Sequence, residues 1–187
     1  MNATDTPNRG PSFATCHSSR ELWYAACTRA NHEKNVAQQL SERSVEHFLP
    51  LYESVRRWTD RRMHLQMPLF PGYVFVRLDL RDRLRALQLP SVARLVSFNG
   101  APAALPEAEI EALKAGLECG VQAVPHPYLK AGRRVRITRG PLEGLEGIVI
   151  RKKNRLRFVI SLDLIQRSIQ LEIDASSVEP VNSRQVK

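Results

Sequence analysis

The chain has 187 residues, a formal net charge of +9 and three isolated cysteines, Cys16, Cys27 and Cys119, a size that fits one domain or two small ones and a cysteine pattern that excludes a disulfide framework or a paired-cysteine metal site. No apolar run is long enough to cross a bilayer, and residues 1–20, rich in Ser, Thr, Asn and Pro, lack the apolar block of a signal peptide, so a disordered tail and a reducing, cytoplasmic setting are expected. The charge is uneven: residues 130–187 hold 13 Lys or Arg against 6 Asp or Glu, while residues 1–129 hold 15 against 13, which favours an acidic partner such as nucleic acid or a ribonucleoprotein, with plain solubility as the alternative.

In chain order, "LWYAACT" at 22–28 has strand composition. "RANHEKNVAQQLSER" follows with Val36, Ala37 and Leu40 at helical spacing, Asn31 as candidate cap and Glu33 as a favourable first-turn acid. "EHFLPLYESV" predicts one strand carrying Pro50 at an edge or bulge. "RRWTDRRMHLQMPLF" has a Thr59-Asp60 turn between four arginines. "GYVFVRLDL" is the strongest strand pattern. Its alternation puts Val74, Val76, Leu78 and Leu80 on one face and Tyr73, Phe75 and Arg77 on the other. The aliphatic row suits a core under helices. The aromatic row, with Leu69 and Phe70 held extended by Pro68 and Pro71, is either packed within its own domain or a partner site. A short helix with Leu80, Leu84 and Leu87 on one side ends at Pro90, and "VARLVSFNG" is a strand closed by Asn99-Gly100. Pro106 then opens a helix striped by Ile110, Leu113 and Leu117.

Helices separating strands in this rhythm predict an α+β sandwich. Residues 120–131, with Pro125 and Pro127 around His126 and no period, read as a linker. Beyond it, two-residue alternation at Val135 and Ile137, 148–150, 156–162, and Ile169, Leu171 and Ile173, broken at turn residues, predicts a small five-stranded β-barrel. Gly140, Gly144 and Gly147 are spaced as turn or bulge residues. The expected organisation is a tail at 1–20, a first domain at 21–119, the linker, and a barrel at 132–182.

These motifs make the chain resemble the NusG family of transcription elongation factors. "WYAACTRANHEKNVAQQL", "PLFPGYVFV" and "VARLVSFNG" resemble its N-terminal (NGN) domain, and "VRITRGPLEGLEGIVI" resembles its KOW domain. Together they cover roughly residues 22–181. "PLFPGYVFVRL" and the tryptophan-bearing basic hairpin further resemble the specialised RfaH-type antiterminators of long operons.

The resemblance implies that the NGN domain binds the clamp helices of the largest RNA polymerase subunit through Phe70, Pro71, Tyr73 and Phe75, with Tyr24 of the first strand nearby. Arg56, Arg57, Trp58, Arg61 and Arg62 of the hairpin, and Arg83 and Arg85 beside Arg81 near the short helix, would lie close to the non-template DNA strand or the polymerase gate loop. Arginine suits phosphate contact and tryptophan suits base stacking, while a solvated charged hairpin is the alternative. The His-Thr-Thr stretch that RfaH uses there is absent. The KOW domain would bind the termination factor Rho or protein ten of the small ribosomal subunit through Leu142, Leu145, Leu164, Ile165 and Arg167. Leu164 and Ile165, apolar in an apparent turn, either support a contact site or fill the barrel end.

The function implied is elongation and antitermination on specific long operons by a monomer without cofactor, metal or membrane association. A general NusG-type factor and a ribosome- or RNA-binding KOW protein are the other readings. The five histidines are scattered, and no HExxH, phosphate-loop or nucleophile motif occurs, so an enzyme is not expected.

Overall fold

The structure, a computed structural model, describes residues 20–58, 61–126, 132–152, 155–162, 164–171 and 178–181. The chain opens with β1 (Leu22–Thr28), α1 (Glu33–Glu42) and β2 (Glu46–Phe48). The single strand expected through Pro50 is instead two. β3 (Leu51–Trp58) starts after Pro50 and pairs with β4 (Arg61–Pro68) as a separate two-stranded ribbon. Proline brings no N–H to a ladder, and the Pro50 carbonyl accepts from the Leu69 N–H at 2.8 Å where the ribbon returns.

β5 (Tyr73–Leu78) follows, then a 3-10 turn over Leu80–Asp82, α2 (Leu84–Leu87), β6 (Val92–Leu95), the hairpin of β7 (Ser97–Phe98) and β8 (Ala101–Pro102), β9 (Ala104–Leu105) and α3 (Glu107–Glu118). The first sheet has the order β2-β5-β1-β6, with β9 also on β1, and all its pairings are antiparallel. Two local expectations change. Asn31 sits at φ +64° and His32 takes the N-cap position without a side-chain hydrogen bond. In α2 the buried residue is Ala86, and Leu84 is exposed.

Alternation along β1 and β5 builds two cores, one on each face of the sheet. Tyr24, Ala26, Val74, Val76 and Leu78 lie under Val36 and Leu40 of α1 and Ala86 of α2. Trp23, Ala25 and Phe75 face the other way, toward Ile110 and Leu113 of α3. Each fully buried side chain of this size contributes about 1.5–3 kcal/mol, which fixes the register of a strand whose one-residue slip would exchange the two sets.

The second sheet contains the five expected barrel strands, β11 (Arg133–Ile137), β12 (Glu146–Lys152), β13 (Arg155–Leu162), β14 (Arg167–Leu171) and β15 (Val178–Pro180). A sixth strand, β10 (Ala123–His126), comes from the stretch expected to be linker and caps the edge of β14, giving the order β10-β14-β13-β12-β11-β15. Pro125 is tolerated because β10 is the edge strand. Ile173 lies outside the described residues. Gly140 and Gly144 have positive φ as turn residues do, but Gly147 lies in β12, where an added Cβ would stand 2.6 Å from the Phe158 ring and the Val159 carbonyl.

Candidate functional site

The turn that leads into β5 is built from Phe70, Pro71, Gly72 and Tyr73. The Tyr73 N–H donates to the Phe70 carbonyl at 3.1 Å, Pro71 sets the first corner and Gly72, at φ +84°, takes the left-handed second corner. This leaves Phe70 and Tyr73 at the two ends of the turn, on the side of the sheet that Phe75 faces. The three rings do not share one environment. Phe70 and Phe75 are 1% and 0% exposed and meet edge to face, with centroids 5.5 Å apart at 82°, whereas Tyr73 is half-buried. Pro71 is exposed.

A fourth ring was not among the expected site residues. Phe48 of β2 stands directly opposite Phe75 in the strand register and stacks on it at 6.1 Å. Its neighbour on the far side is Lys114 of α3, whose ammonium lies 4.2 Å from the Trp23 ring centroid and 5.8 Å from that of Phe48. That ammonium also pairs with Glu46 and Glu111, and Arg77, the polar end of the row, pairs with Glu107 and Glu46. The alternation of "LWYAACT" carried a signal for Trp23, but pairing Phe48 with Phe75 depends on a register that no local pattern records.

Tyr24 is not part of this row. It pairs with Val76 and faces the α1 side, so the expectation that it lies near Tyr73 is corrected by strand parity. Burial raises its hydroxyl pKa above the ordinary tyrosine value, and the nearby Asp79 carboxylate adds to the shift.

Residues from the connections of the second sheet reach the same apolar cluster as the row. Leu142, Leu145 and Ile165, placed at loop tips by sequence, are only 2–4% exposed and belong to the same apolar cluster as Phe70, Phe75, Ile110 and Leu113, with Tyr73 and Leu164 packed at its margin. The Arg167 guanidinium lies 5.9 Å from the Tyr73 ring centroid. The closest approach is at α3, where a Cβ on Gly116 would stand 2.3 Å from Leu142 Cδ2. Glycine inside a helix costs about 0.5–1 kcal/mol relative to alanine. Here it makes room for Leu142, a use the sequence did not disclose.

Of the five residues expected to bind a KOW partner, four therefore lie in or against the apolar cluster that contains Phe70 and Phe75, and Arg167 stands beside Tyr73. Arg83 and Arg85 are exposed at the α2 side of the sheet, the Arg85 guanidinium donates to the Arg43 carbonyl, and Arg43 donates back to the Arg85 carbonyl at 3.0 Å. The backbones of Arg56, Arg57, Trp58, Arg61 and Arg62 pair across the β3–β4 ribbon, and their side chains lie outside the described residues. Among the described residues no group of three His, Cys, Asp or Glu is placed to hold a metal ion, and no helix is long and apolar enough to cross a membrane.

Comparison with known proteins agrees with this architecture. The family model described as "Transcription termination factor nusG" matches residues 21–114. The transcription termination/antitermination protein NusG of Yersinia pestis is 28% identical over 177 residues, covering 86% of this chain and 96% of that protein, and NusG of Escherichia coli (strain K12) gives the same identity and coverage. Among solved structures, one titled "Domain interaction in Thermotoga maritima NusG" is similar in fold, with a TM-score of 0.54 at 21% identity, covering 87% of this chain and 98% of that one. With half of its length matched by the family model and its order of sandwich then barrel intact, this chain belongs to the NusG family of transcription termination and antitermination factors.

Proposed function

We propose that this protein, a non-enzymatic NusG-type transcription factor, docks on the clamp helices of the largest RNA polymerase subunit through Phe70, Pro71, Tyr73 and Phe75. In the arrangement described here, the barrel tips keep that row covered until they are drawn away. The observation that carries the reading is the single apolar cluster that runs from Phe70 and Phe75 to Leu142, Leu145 and Ile165. Separating the two halves exposes two apolar surfaces at once, the aromatic row and the barrel tips, and contiguous exposed apolar surface of that kind is normally taken up by a partner. Aromatic anchors in a desolvated patch supply most of the energy of such interfaces.

Bound to polymerase, the sandwich suppresses pausing or termination by favouring the closed clamp over the open one. The freed barrel, through Leu142, Leu145, Leu164, Ile165 and Arg167, tethers a small-subunit ribosomal protein or Rho and raises its effective concentration at the transcription complex. Arg56, Arg57, Trp58, Arg61 and Arg62 on the ribbon, with Arg83 and Arg85, supply contacts to the non-template strand or gate loop. Charge reversal at Arg57 and Arg61 is expected to remove the pause-suppressing effect while polymerase binding stays intact. Loss of both together, or of neither, contradicts this role.

A covered docking row suits a factor used on particular long operons, since something must displace the barrel before polymerase is engaged. General use on all transcripts is the second reading, favoured by the 28% identity to NusG proteins over nearly their whole length. Genome-wide occupancy separates the two: a few transcription units for the first, all of them for the second. The docking itself is tested by titrating polymerase with the full chain and with Tyr73→Ala, for which at least tenfold weaker binding is expected. Equal affinity contradicts the reading.

A further inference from the structure

Glu33 begins α1, where an acid in the first turn is ordinarily a solvent-facing partner of the helix dipole. Instead it is 3% exposed and is the only buried residue with a charged side chain among the described residues. Its carboxylate Oε1 accepts the Gly72 N–H at 2.7 Å. Thirty-nine residues separate the two. A carboxylate is removed from water only where hydrogen bonds replace hydration, and one bonded to a backbone N–H is among the stronger such contacts.

Gly72 is held at both of its backbone polar groups. Its N–H donates to Glu33 and its carbonyl accepts from the Thr28 N–H at 2.9 Å, at the end of β1. The hydrogen bond from Tyr73 to Phe70 closes the turn around it. Space does not explain the glycine, because an added Cβ would meet only the Thr28 carbonyl at 3.9 Å. Its φ of +84° does. Rotation of the peptide between Pro71 and Gly72 would change the turn type and swing the Gly72 N–H away from the carboxylate, loosening the turn that spaces Phe70 from Tyr73. The Glu33 carboxylate opposes that rotation. His32, the residue before it, is held separately through its Nδ1 contact with Ser91 Oγ at 2.9 Å, so the start of α1 is itself fixed.

We infer that Glu33 is a positioning residue for the docking row: its carboxylate, anchored at the start of α1, latches the Gly72 amide and so holds Phe70 and Tyr73 in the orientation that a partner meets. This rests on the reading that those aromatics dock on polymerase. The latch itself is local geometry and can be judged without polymerase.

The test uses the full chain with Glu33→Ala, which removes the acceptor, and Glu33→Gln, which keeps an oxygen of the same shape without charge. Amide hydrogen exchange is followed at Gly72 and, as internal references, at Val74 and Val76 in β5. In Glu33→Ala, Gly72 is expected to exchange at least tenfold faster with Val74 and Val76 unchanged, and Glu33→Gln is expected to restore most of the protection. Uniform acceleration at all three amides, or none at Gly72, overturns the inference, because the residue would then be merely structural or idle. Should Glu33→Ala fail to fold, Glu33→Asp, which withdraws the carboxylate from the Gly72 amide, decides in its place, with acceleration confined to Gly72 expected and uniform or absent acceleration contradicting it.

Polymerase binding by the same variants supplies the link to function. Glu33→Ala is expected to weaken binding severalfold, and Glu33→Ala with Tyr73→Ala to lose less than the sum of the two single losses, since Glu33 acts in part through Tyr73. Additive losses overturn the positioning role. If Tyr73→Ala leaves binding unchanged, the docking reading falls, and selective exposure of the Gly72 amide still decides whether Glu33 sets the turn.

Discussion

The aromatic residues at the turn and in β5 divide by what they support. Phe75 is fully buried between Phe48 and Phe70, so Phe75→Ala leaves a cavity and is expected to cost about 3–5 kcal/mol, measured as a fall in the denaturation midpoint at unchanged slope. Phe70→Ala belongs to the same class, which makes it a poor probe of docking. Tyr73, half-buried and touched by Arg167, is the residue whose loss should be felt in binding more than in folding. The alternation of "YVFVRL" was enough to separate Phe75 from Val74 and Val76. It could not separate Tyr73 from Phe75, because that difference depends on Phe48, which arrives from β2 through long-range pairing. Tyr24 was misplaced for a related reason. Its face is set by standing opposite Val76, and a strand read alone has no label for which row is which. Glu33 was legible as a helix-start acid, but its burial depends on a turn thirty-nine residues away.

At the scale of elements, periodicity located the helices and most strands, while their limits followed backbone chemistry. Pro50 divides one apolar stretch into β2 and β3, which belong to different sheets. The two prolines that read as linker signals did not prevent β10, since an edge strand needs only alternate N–H groups and Pro125 sits on the outermost strand. The stripe expected on α3 was Ile110, Leu113 and Leu117; Ile110 and Leu113 are buried, Leu117 packs at the margin of the same cluster, and Gly116 is buried beside it. Leu142 approaches the helix at that glycine. A long side chain at that position meets Leu142 directly, so Leu142 must shift for the barrel to stay seated. Gly116→Gln is therefore expected to release the barrel while leaving α3 intact, seen in small-angle scattering as an increase in radius of gyration at unchanged helix content by circular dichroism. An unchanged radius would mean that Gly116 does not set the contact.

For the whole molecule, apolar residues of the two halves belong to one cluster, and what each half buries there is open to an external partner only once the halves separate. Were the barrel released, the charge excess of residues 130–187 would go with it and add attraction to an acidic partner. Both halves and their order were legible from local alternation and turn residues. Their contact was not, since it is made by loop tips and a helix glycine with no periodic signature. Polymerase and the barrel are expected to compete for the Phe70–Tyr73–Phe75 row, which is tested most directly by the affinity of purified polymerase for the full chain, Gly116→Gln, and Gly116→Gln with Tyr73→Ala. Gly116→Gln is expected to bind more tightly than the unaltered chain, and adding Tyr73→Ala to remove the gain. Equal affinity for all three would contradict it.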